Sequence, residues 1–308
     1  MPSSNLQLPH LVSFCASFEL RTNRHCRPVT IASKKWAAQC PYLDHEERQA
    51  VAGLQPGLLA SLCYPTCDVA QLQFIAQVLI VVVHWLDKPN AAGDERFIDQ
   101  VCAKLPRDRQ KSWQPRFRRH LQAFRGARVL VQTDNERAVV PDLESYIPLR
   151  QESSCAKILL DMIEYAVGLH VPDEVYEDPI LRQLRRNAYD VMAWSIDIAS
   201  VASKQATNDK HNLVLVLMAE RRLTLQSAVH AAGALVKKTV GAFLENERLL
   251  LAQLPSFGPC VAADVRRYVQ GMRDCIVGLT HWLYETDRFF GDAGDDVRDL
   301  GWVFLPSR

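Results

Sequence analysis

Apolar residues along the chain recur mostly at three- and four-residue steps, the spacing that gathers them on one helix face. In "ILLDMIEYAV", residues 158–167, this pattern predicts an amphipathic helix. From 213 to 250 the helical pattern is nearly continuous, with a break expected near 221–225. From 260 to 290 a long pattern runs without proline, and Pro259 just before it suits a helix entrance. The most apolar run is "FIAQVLIVVVHWL", residues 74–86. Its "IVVV" at 80–83 is β-branched and would suit a strand in isolation. Helical neighbours make it instead a buried helix, apolar all round, of the kind found at the centre of a bundle. Strand signals are poor elsewhere, and no internal repeat or low-complexity segment is visible. The expected fold class is all-α, with residues 1–308 forming one domain and any ligand site lying between helices.

Composition adds little to this picture and removes some alternatives. The 308 residues are 48% hydrophobic and 23% charged, with a formal net charge of +1. Such a chain has no global field favouring nucleic acid or an anionic membrane. The basic stretch "RDRQKSWQPRFRRH", 107–120, interleaves Trp113 and Phe117. That combination can bind nucleic acid, but in a near-neutral chain it reads as a basic helix surface. "LRQLRR", 181–186, reads as a solvated helix face. The 74–86 run is too short to span a bilayer, and the first residues carry no basic n-region. The nine cysteines are scattered, and Cys63 with Cys67 has no second pair to complete a zinc site. Free or buried thiols in a reducing compartment follow, hence a cytoplasmic location. The expected partner is a small molecule rather than nucleic acid or membrane, and a homodimer is compatible with the sequence.

Two segments carry a family resemblance. Residues 141–218 contain "YIPLR", "EYAVGLHVPDEV", "WSIDIAS" and "HN" in that order. Residues 268–291 end in "HWLYETDRFFG". Both resemble fungal-type class I terpene synthases of the sesquiterpene cyclase family. Two N-terminal stretches, "LPHLVSFCASFELRTNRH" and "GLQPGLLASLCYPTCD", are also similar, so the likeness covers nearly the whole chain. It implies a helical bundle around a central apolar cavity. In that family a prenyl diphosphate is held by three magnesium ions and basic side chains, and its loss leaves an allylic carbocation in an aromatic-lined cavity. Magnesium takes oxygen ligands in near-octahedral geometry. The family supplies them from an aspartate-rich motif and from an Asn/Ser/Glu motif whose four-residue steps share one helix face.

This chain departs from both motifs. The aspartate-rich motif should follow the apolar helix, where the sequence reads "LDKPNAAGDE". Asp87 keeps the first acid, as a metal ligand or a catalytic acid–base group. Lys88 stands at the second position and Ala91 at the last. Pro89 would bend or end the helix, and Asp94 and Glu95 lie beyond it. In the second motif, "IDIASVASK", Ile196 replaces the asparagine, Ser200 is retained and Lys204 replaces the glutamate. Asp197 keeps the acid after the first ligand, about a quarter-turn away. Two ammonium groups in place of acids would repel a metal cluster and attract phosphate; the alternative is that both point to solvent. No cofactor is required by this reading, and Mg2+ is disfavoured by the motif loss.

The resemblance also assigns the remaining positions. Arg150 stands at the diphosphate-sensor position, followed by Gln151 where a second arginine is usual. Arg288 keeps the C-terminal arginine, with Phe289 in place of a tyrosine. His211 and Asn212 keep the "HN" pair. Arg150, Lys88, Ser200, Lys204, His211, Asn212 and Arg288 form the candidate diphosphate-binding set. The blander alternatives are structural ion pairs for the two arginines and helix-end packing for His211. Phe74, Trp85, Trp194, Ile196, Trp282 and Phe289 are candidate cavity walls, where aromatic faces stabilise cations. His84, one turn before Asp87, could accept a proton, or be a satisfied core histidine. The expected function is a nonstandard terpene synthase-like enzyme that cyclises or rearranges a prenyl or terpenoid substrate through carbocation or acid–base chemistry, with a reduced or absent magnesium cluster; versions without diphosphate loss, or with magnesium on Asp87 and Asp94 or Glu95, stay open. A non-catalytic terpenoid-binding or partner protein is the alternative. A closed apolar pocket with basic groups at its mouth favours the enzyme, and a collapsed one favours the scaffold.

Overall fold

The computed structural model describes residues 5–41, 43–88, 103, 113–207 and 209–305. The chain is built from helices: α1 Leu11–Phe14, α2 Cys26–Gln39, α3 His45–Leu54, α4 Pro56–Cys63 and α5 Val69–Asp87 in the first third. Then follow α6 Trp113–Glu136, α7 Leu143–Ser153, α8 Ala156–Val167, α9 Asp173–Tyr176 and α10 Pro179–Ala206. The last third holds α11 Leu213–Arg221, α12 Leu225–Gln253, α13 Pro259–Glu285 and α14 Gly294–Leu300. The all-α class is observed, with one addition. Strands β1 (Asn5–Gln7) and β2 (Trp302–Phe304) pair antiparallel and join the two ends of the described chain. Three-residue strands are too short to show an alternating pattern, so the sequence carried no signal for them.

Local chemistry sets the helix boundaries. Asp68 and Gln71 form a capping box that starts α5, each side chain meeting the other's backbone N–H. Helix α5 stops at Asp87, with Lys88 as its C-cap. Pro179 and Pro259 begin α10 and α13, where a missing N–H costs nothing. The break expected near 221–225 falls between α11 and α12. Arg222 turns left-handed there (φ 52°), and Thr224 caps α12 by accepting a hydrogen bond from Ser227 N.

Helix α5 lies in the core, its residues from Leu72 to Trp85 mostly buried. At 19 residues and mean hydropathy 1.8 it is long and apolar enough to cross a bilayer by composition alone, so the 74–86 run understated its length. It is nevertheless packed inside the bundle, with 67% of its most apolar window buried. Helix α4 comes very close to two neighbours. A Cβ at Gly57 would stand 2.6 Å from Thr30 Cα, and one at Gly278 would stand 2.7 Å from the Leu62 carbonyl oxygen. Glycine is needed at both positions because backbone, not a flexible side chain, occupies the space.

The basic stretches partition differently from the expectation. Trp113 and Phe117 are buried in the core, which removes the aromatic element of a nucleic-acid face. In the 181–186 stretch Arg182 and Arg186 are exposed, but Arg185 is buried, its guanidinium 3.3 Å above the Tyr176 ring. The solvated-face reading is therefore wrong for Arg185. It shares the apolar stripe of Leu181, Leu184 and Ala188 at helical spacing. All eight cysteines among the described residues are free, and most are buried.

Candidate active site

Helix α10 presents Ile196, Ser200 and Lys204 on one face, and all three line an internal cavity of about 300 Å³. Helix α5 contributes Leu79, Val82, Val83 and Asp87 to the same space. Helix α13 gives Trp282, and the segment after it gives Arg288 and Phe289. Arg150 enters from α7 and Arg128 from α6. The walls are thus aliphatic and aromatic over most of their extent, with charge gathered among Asp87, Arg128, Arg150, Asp197, Lys204 and Arg288. A mostly apolar enclosure with a few convergent polar groups is the form of a small-molecule site, typically ~300–1,000 Å³.

Trp282 is fixed by its indole N–H, which donates to Leu54 O at 2.9 Å. Phe289 meets it edge to face, centroids 5.8 Å apart at 87°. Together they form an aromatic corner of the cavity, able to stabilise a nearby cation through the ring faces. Without a hydroxyl, Phe289 offers no hydrogen bond there.

Two arginines are locked to carboxylates. Arg150 Nε lies 3.0 Å from Asp197 Oδ1, and its Nη2 lies 2.9 Å from the same oxygen. Asp197 also accepts from the Tyr146 hydroxyl and from Leu213 N at 3.1 Å. Burial opposes the charge of Arg150, but Asp197 outweighs it and holds the guanidinium above its ordinary value. Burial and the Asp197 charge push the Tyr146 phenol far up. At the more exposed end, Arg288 Nη2 and Nη1 clasp Asp87 at 2.6 and 3.0 Å. Burial would weaken Arg288, and the bonds to Asp87 raise it instead.

The other candidate residues divide clearly. Lys204 lines the cavity and pairs with Asp209 at 2.5 Å. Burial opposes ionisation of Asp209, and Lys204 nonetheless keeps its carboxyl below the usual range. His211 lines the cavity too, with Nε2 3.1 Å from Asp134. Burial depresses its pKa more than Asp134 raises it. Asn212 is fully buried and caps α11, accepting from Val214 N while donating to Asp197 O at 2.7 Å. It braces the α10–α11 junction rather than facing the cavity. Lys88 points elsewhere, its ammonium 2.5 Å from Glu47 and 3.1 Å from Asp44 of the α3 capping box. Bonds to those acids raise its pKa. His84 is buried with Nδ1 3.5 Å from Glu47, outside the cavity lining. Phe74, Trp85 and Trp194 are core residues that do not line the cavity. Phe74 packs edge to face on Tyr165, and Arg125 lies over Trp85. Asp94, Glu95, Pro89 and Ala91 lie outside the described residues.

The sequence reading missed Arg128, Ser154, Cys155, Ser203 and Thr207, all of which line the cavity. Ser203 on α10 and Thr207, the C-cap of that helix, lie beside Ser200 and Lys204, a signal available from helical spacing. Arg128 had none, being one arginine among many on α6.

The magnesium cluster that the family resemblance implies needs oxygen donors from both motifs. At the second motif Ile196 supplies no donor and Lys204 supplies a cation. The Ser200 hydroxyl already reaches the Asp197 carbonyl oxygen at 3.4 Å. At the first motif Asp87 is occupied by Arg288. Among the described residues no group of three or more His, Cys, Asp or Glu could hold a metal ion. The described donors therefore do not fit that cluster.

Comparison with known proteins agrees with this architecture. The profile of Terpene synthase family 2, C-terminal metal binding, matches residues 87–241. Sesquiterpene synthase Agr1 of Cyclocybe aegerita is 36% identical, over 98% of this chain and 93% of its own. Sesquiterpene synthase 6 of Postia placenta is 34% identical, over 98% of this chain and 96% of its own. A structure of hedycaryol synthase in complex with nerolidol superposes with a TM-score of 0.74 at 18% identity, covering 92% of this chain and all of that one. The chain belongs to the fungal class I terpene synthases, and it is a terpene cyclase by family.

Proposed function

We propose that the chain is a sesquiterpene cyclase that ionises farnesyl diphosphate, or a prenyl diphosphate close to it in length, with a reduced or absent magnesium cluster. The observation that carries this is the cavity itself. It is uncollapsed and mostly apolar, yet two of the three positions that the resemblance assigns to metal ligands in the second motif carry a butyl group and an ammonium. The guanidinium groups of Arg128, Arg150 and Arg288 line the same cavity, which supports a reading in which they take the diphosphate. A collapsed cavity would have favoured a scaffold.

The chemistry asked of these residues is limited. The allylic C–O bond breaks heterolytically and its electron pair leaves with the diphosphate. Cations at the charged end stabilise the oxyanion as negative charge develops on it. The allylic cation is left against Leu79, Val82, Val83, Trp282 and Phe289, away from water. Attack by a substrate double bond on the cation closes a ring, and transfer of a proton from the carbon next to the cation to the released diphosphate leaves a double bond and ends the sequence. Asp87 serves as the counter-charge that positions Arg288, and Arg150 is positioned by Asp197. Leu79, Val82 and Val83 offer no nucleophile on their side of the cavity, whereas Cys155 and the Ser and Thr hydroxyls lie among its other lining residues.

Purified protein incubated with geranyl, farnesyl and geranylgeranyl diphosphates, with and without EDTA, tests the reading. The expected result is a cyclised product from farnesyl diphosphate that persists in EDTA. Turnover that vanishes in EDTA overturns the reduced-metal reading. No product from any diphosphate overturns diphosphate ionisation.

A further inference from the structure

Four cations line the cavity, and three of them have a carboxylate partner: Arg150 with Asp197, Arg288 with Asp87, Lys204 with Asp209. Arg128 is the exception among the described residues. Its Nη2 donates to Leu86 O at 2.6 Å, at the C-terminal end of α5. Its Nε is buried and has no hydrogen-bond partner. Asp87 and Asp209 attract it only from beyond ion-pair distance, while Arg150 and Arg288 repel it. Burial first, and then the Arg150 charge, pull it down to about 10.

A half-buried guanidinium, with its Nε shut off from water, no carboxylate in reach and two like charges facing the same cavity, is costly to keep. Its arrangement is that of a site awaiting an anion. Only one of its donors is used among the described residues, and five N–H groups in a planar fork suit phosphate oxygens. The Leu86 bond fixes the side chain in advance, so little ordering remains to be done on binding. The carbonyl it holds is the one just before Asp87, at the first metal-ligand position of the family. Arg128 is thus tied to the helix end that elsewhere presents the metal.

We propose that Arg128 is an anion-contact residue that gives bound diphosphate the uncompensated positive charge which magnesium supplies in the family, so that this chain binds diphosphate without metal. The proposal rests on reading the cavity as a diphosphate site. It differs from that reading in naming the group that replaces the metal charge. Arg150 and Arg288 cannot fill this role alone, because each already neutralises a carboxylate.

The test is calorimetric titration of inorganic diphosphate into the full chain in EDTA, for the unaltered protein, Arg128→Gln and Arg128→Lys. The unaltered protein is expected to bind, and more weakly as salt rises. Arg128→Gln should weaken binding by about tenfold or more, with Arg128→Lys recovering part of the loss as a point charge without the fork. Melting temperature read on the same samples separates loss of binding from loss of the Leu86 bond. If Arg128→Gln does not fold, Arg128→Lys carries the test, with an expected loss of roughly threefold or more. No binding by the unaltered protein in EDTA overturns the proposal, as does a folded Arg128→Gln that binds equally well. Failure of prenyl diphosphate turnover with diphosphate binding intact would sink the cyclase reading and leave this one standing. EDTA-resistant turnover with an unchanged KM in Arg128→Gln would do the reverse.

Discussion

Arg288 holds Asp87 with both terminal nitrogens, at 2.6 and 3.0 Å, across 201 residues of sequence. The acid that the family resemblance places in a metal motif is thereby the counter-ion of the arginine proposed for diphosphate. Each occupies the other. The pair lines the more exposed end of the cavity, and under the proposed function a diphosphate arriving there must compete with Asp87 for the guanidinium.

Removing that competitor should free the arginine. Asp87→Asn is expected to tighten the binding of inorganic diphosphate in EDTA by about fivefold, since a rim ion pair of this exposure is worth about 1 kcal/mol. Calorimetric titration reads the change. Weaker binding would show instead that the Asp87 carboxylate works through a metal.

Rebuilding the second motif should restore metal dependence. In Ile196→Asn with Lys204→Glu, oxygen donors join Ser200 on the same face of α10. Product formation by the double variant is expected to rise when magnesium is added and to fall by about tenfold or more in EDTA, as charge on the leaving group then depends on the metal. A double variant indifferent to EDTA would show that position 196–204 no longer faces the diphosphate.

The Arg150–Asp197 pair should dominate local stability. Asp197 accepts from Arg150, Tyr146 and Leu213 N in the buried core. Asp197→Ala leaves a buried cation unpaired and is expected to cost about 3–5 kcal/mol. Tyr146→Phe removes one hydroxyl and should cost about 1 kcal/mol. Urea unfolding gives both values, and equal effects would contradict this ordering.

Asp190 makes a pH prediction. It accepts from Gln151 Nε2 at 2.8 Å, the residue standing where the family usually has an arginine. Burial raises its carboxyl from 3.8 to about 6, and the Gln151 bond only partly opposes this. The folded chain therefore binds the proton more tightly than the unfolded chain. Stability from this group is full below the unfolded value, falls as pH rises through the window to about 6, and stays low above it. Asp190→Asn should then stabilise the protein by about 1–2 kcal/mol near pH 7.5 and by little near pH 4, a discounted reading of the full shift. Unfolding curves at both pH values check the sign. A gain that is equal at both would remove the titration from the explanation.

How much of this was legible beforehand depends on the range of the interaction. Helices α5, α8, α12 and α13 could be read because each rests on apolar spacing within a few residues, with Pro259 marking the start of α13. The cavity face of α10 was legible for the same reason, since 196, 200 and 204 must share a side of any helix. Arg150 and Arg288 were placed by family motif, and both line the cavity. The three aromatics Phe74, Trp85 and Trp194 were not distinguishable from Trp282 by type, and only packing turned them into core.

The sequence by itself determined that this is a helical chain of the terpene synthase family, and that Ile196 and Lys204 remove two oxygen donors from one helix face. Only the tertiary structure decided which charges neutralise which. It gave Lys88 to the cap of α3, Lys204 to Asp209, Asp87 to Arg288 and Asp197 to Arg150, and it left Arg128 without a carboxylate among the described residues. Helix periodicity is local and survives in the order of residues. Ion pairing depends on distance through space and on exclusion of water, which join positions tens to hundreds of residues apart and leave no mark on the order of either partner.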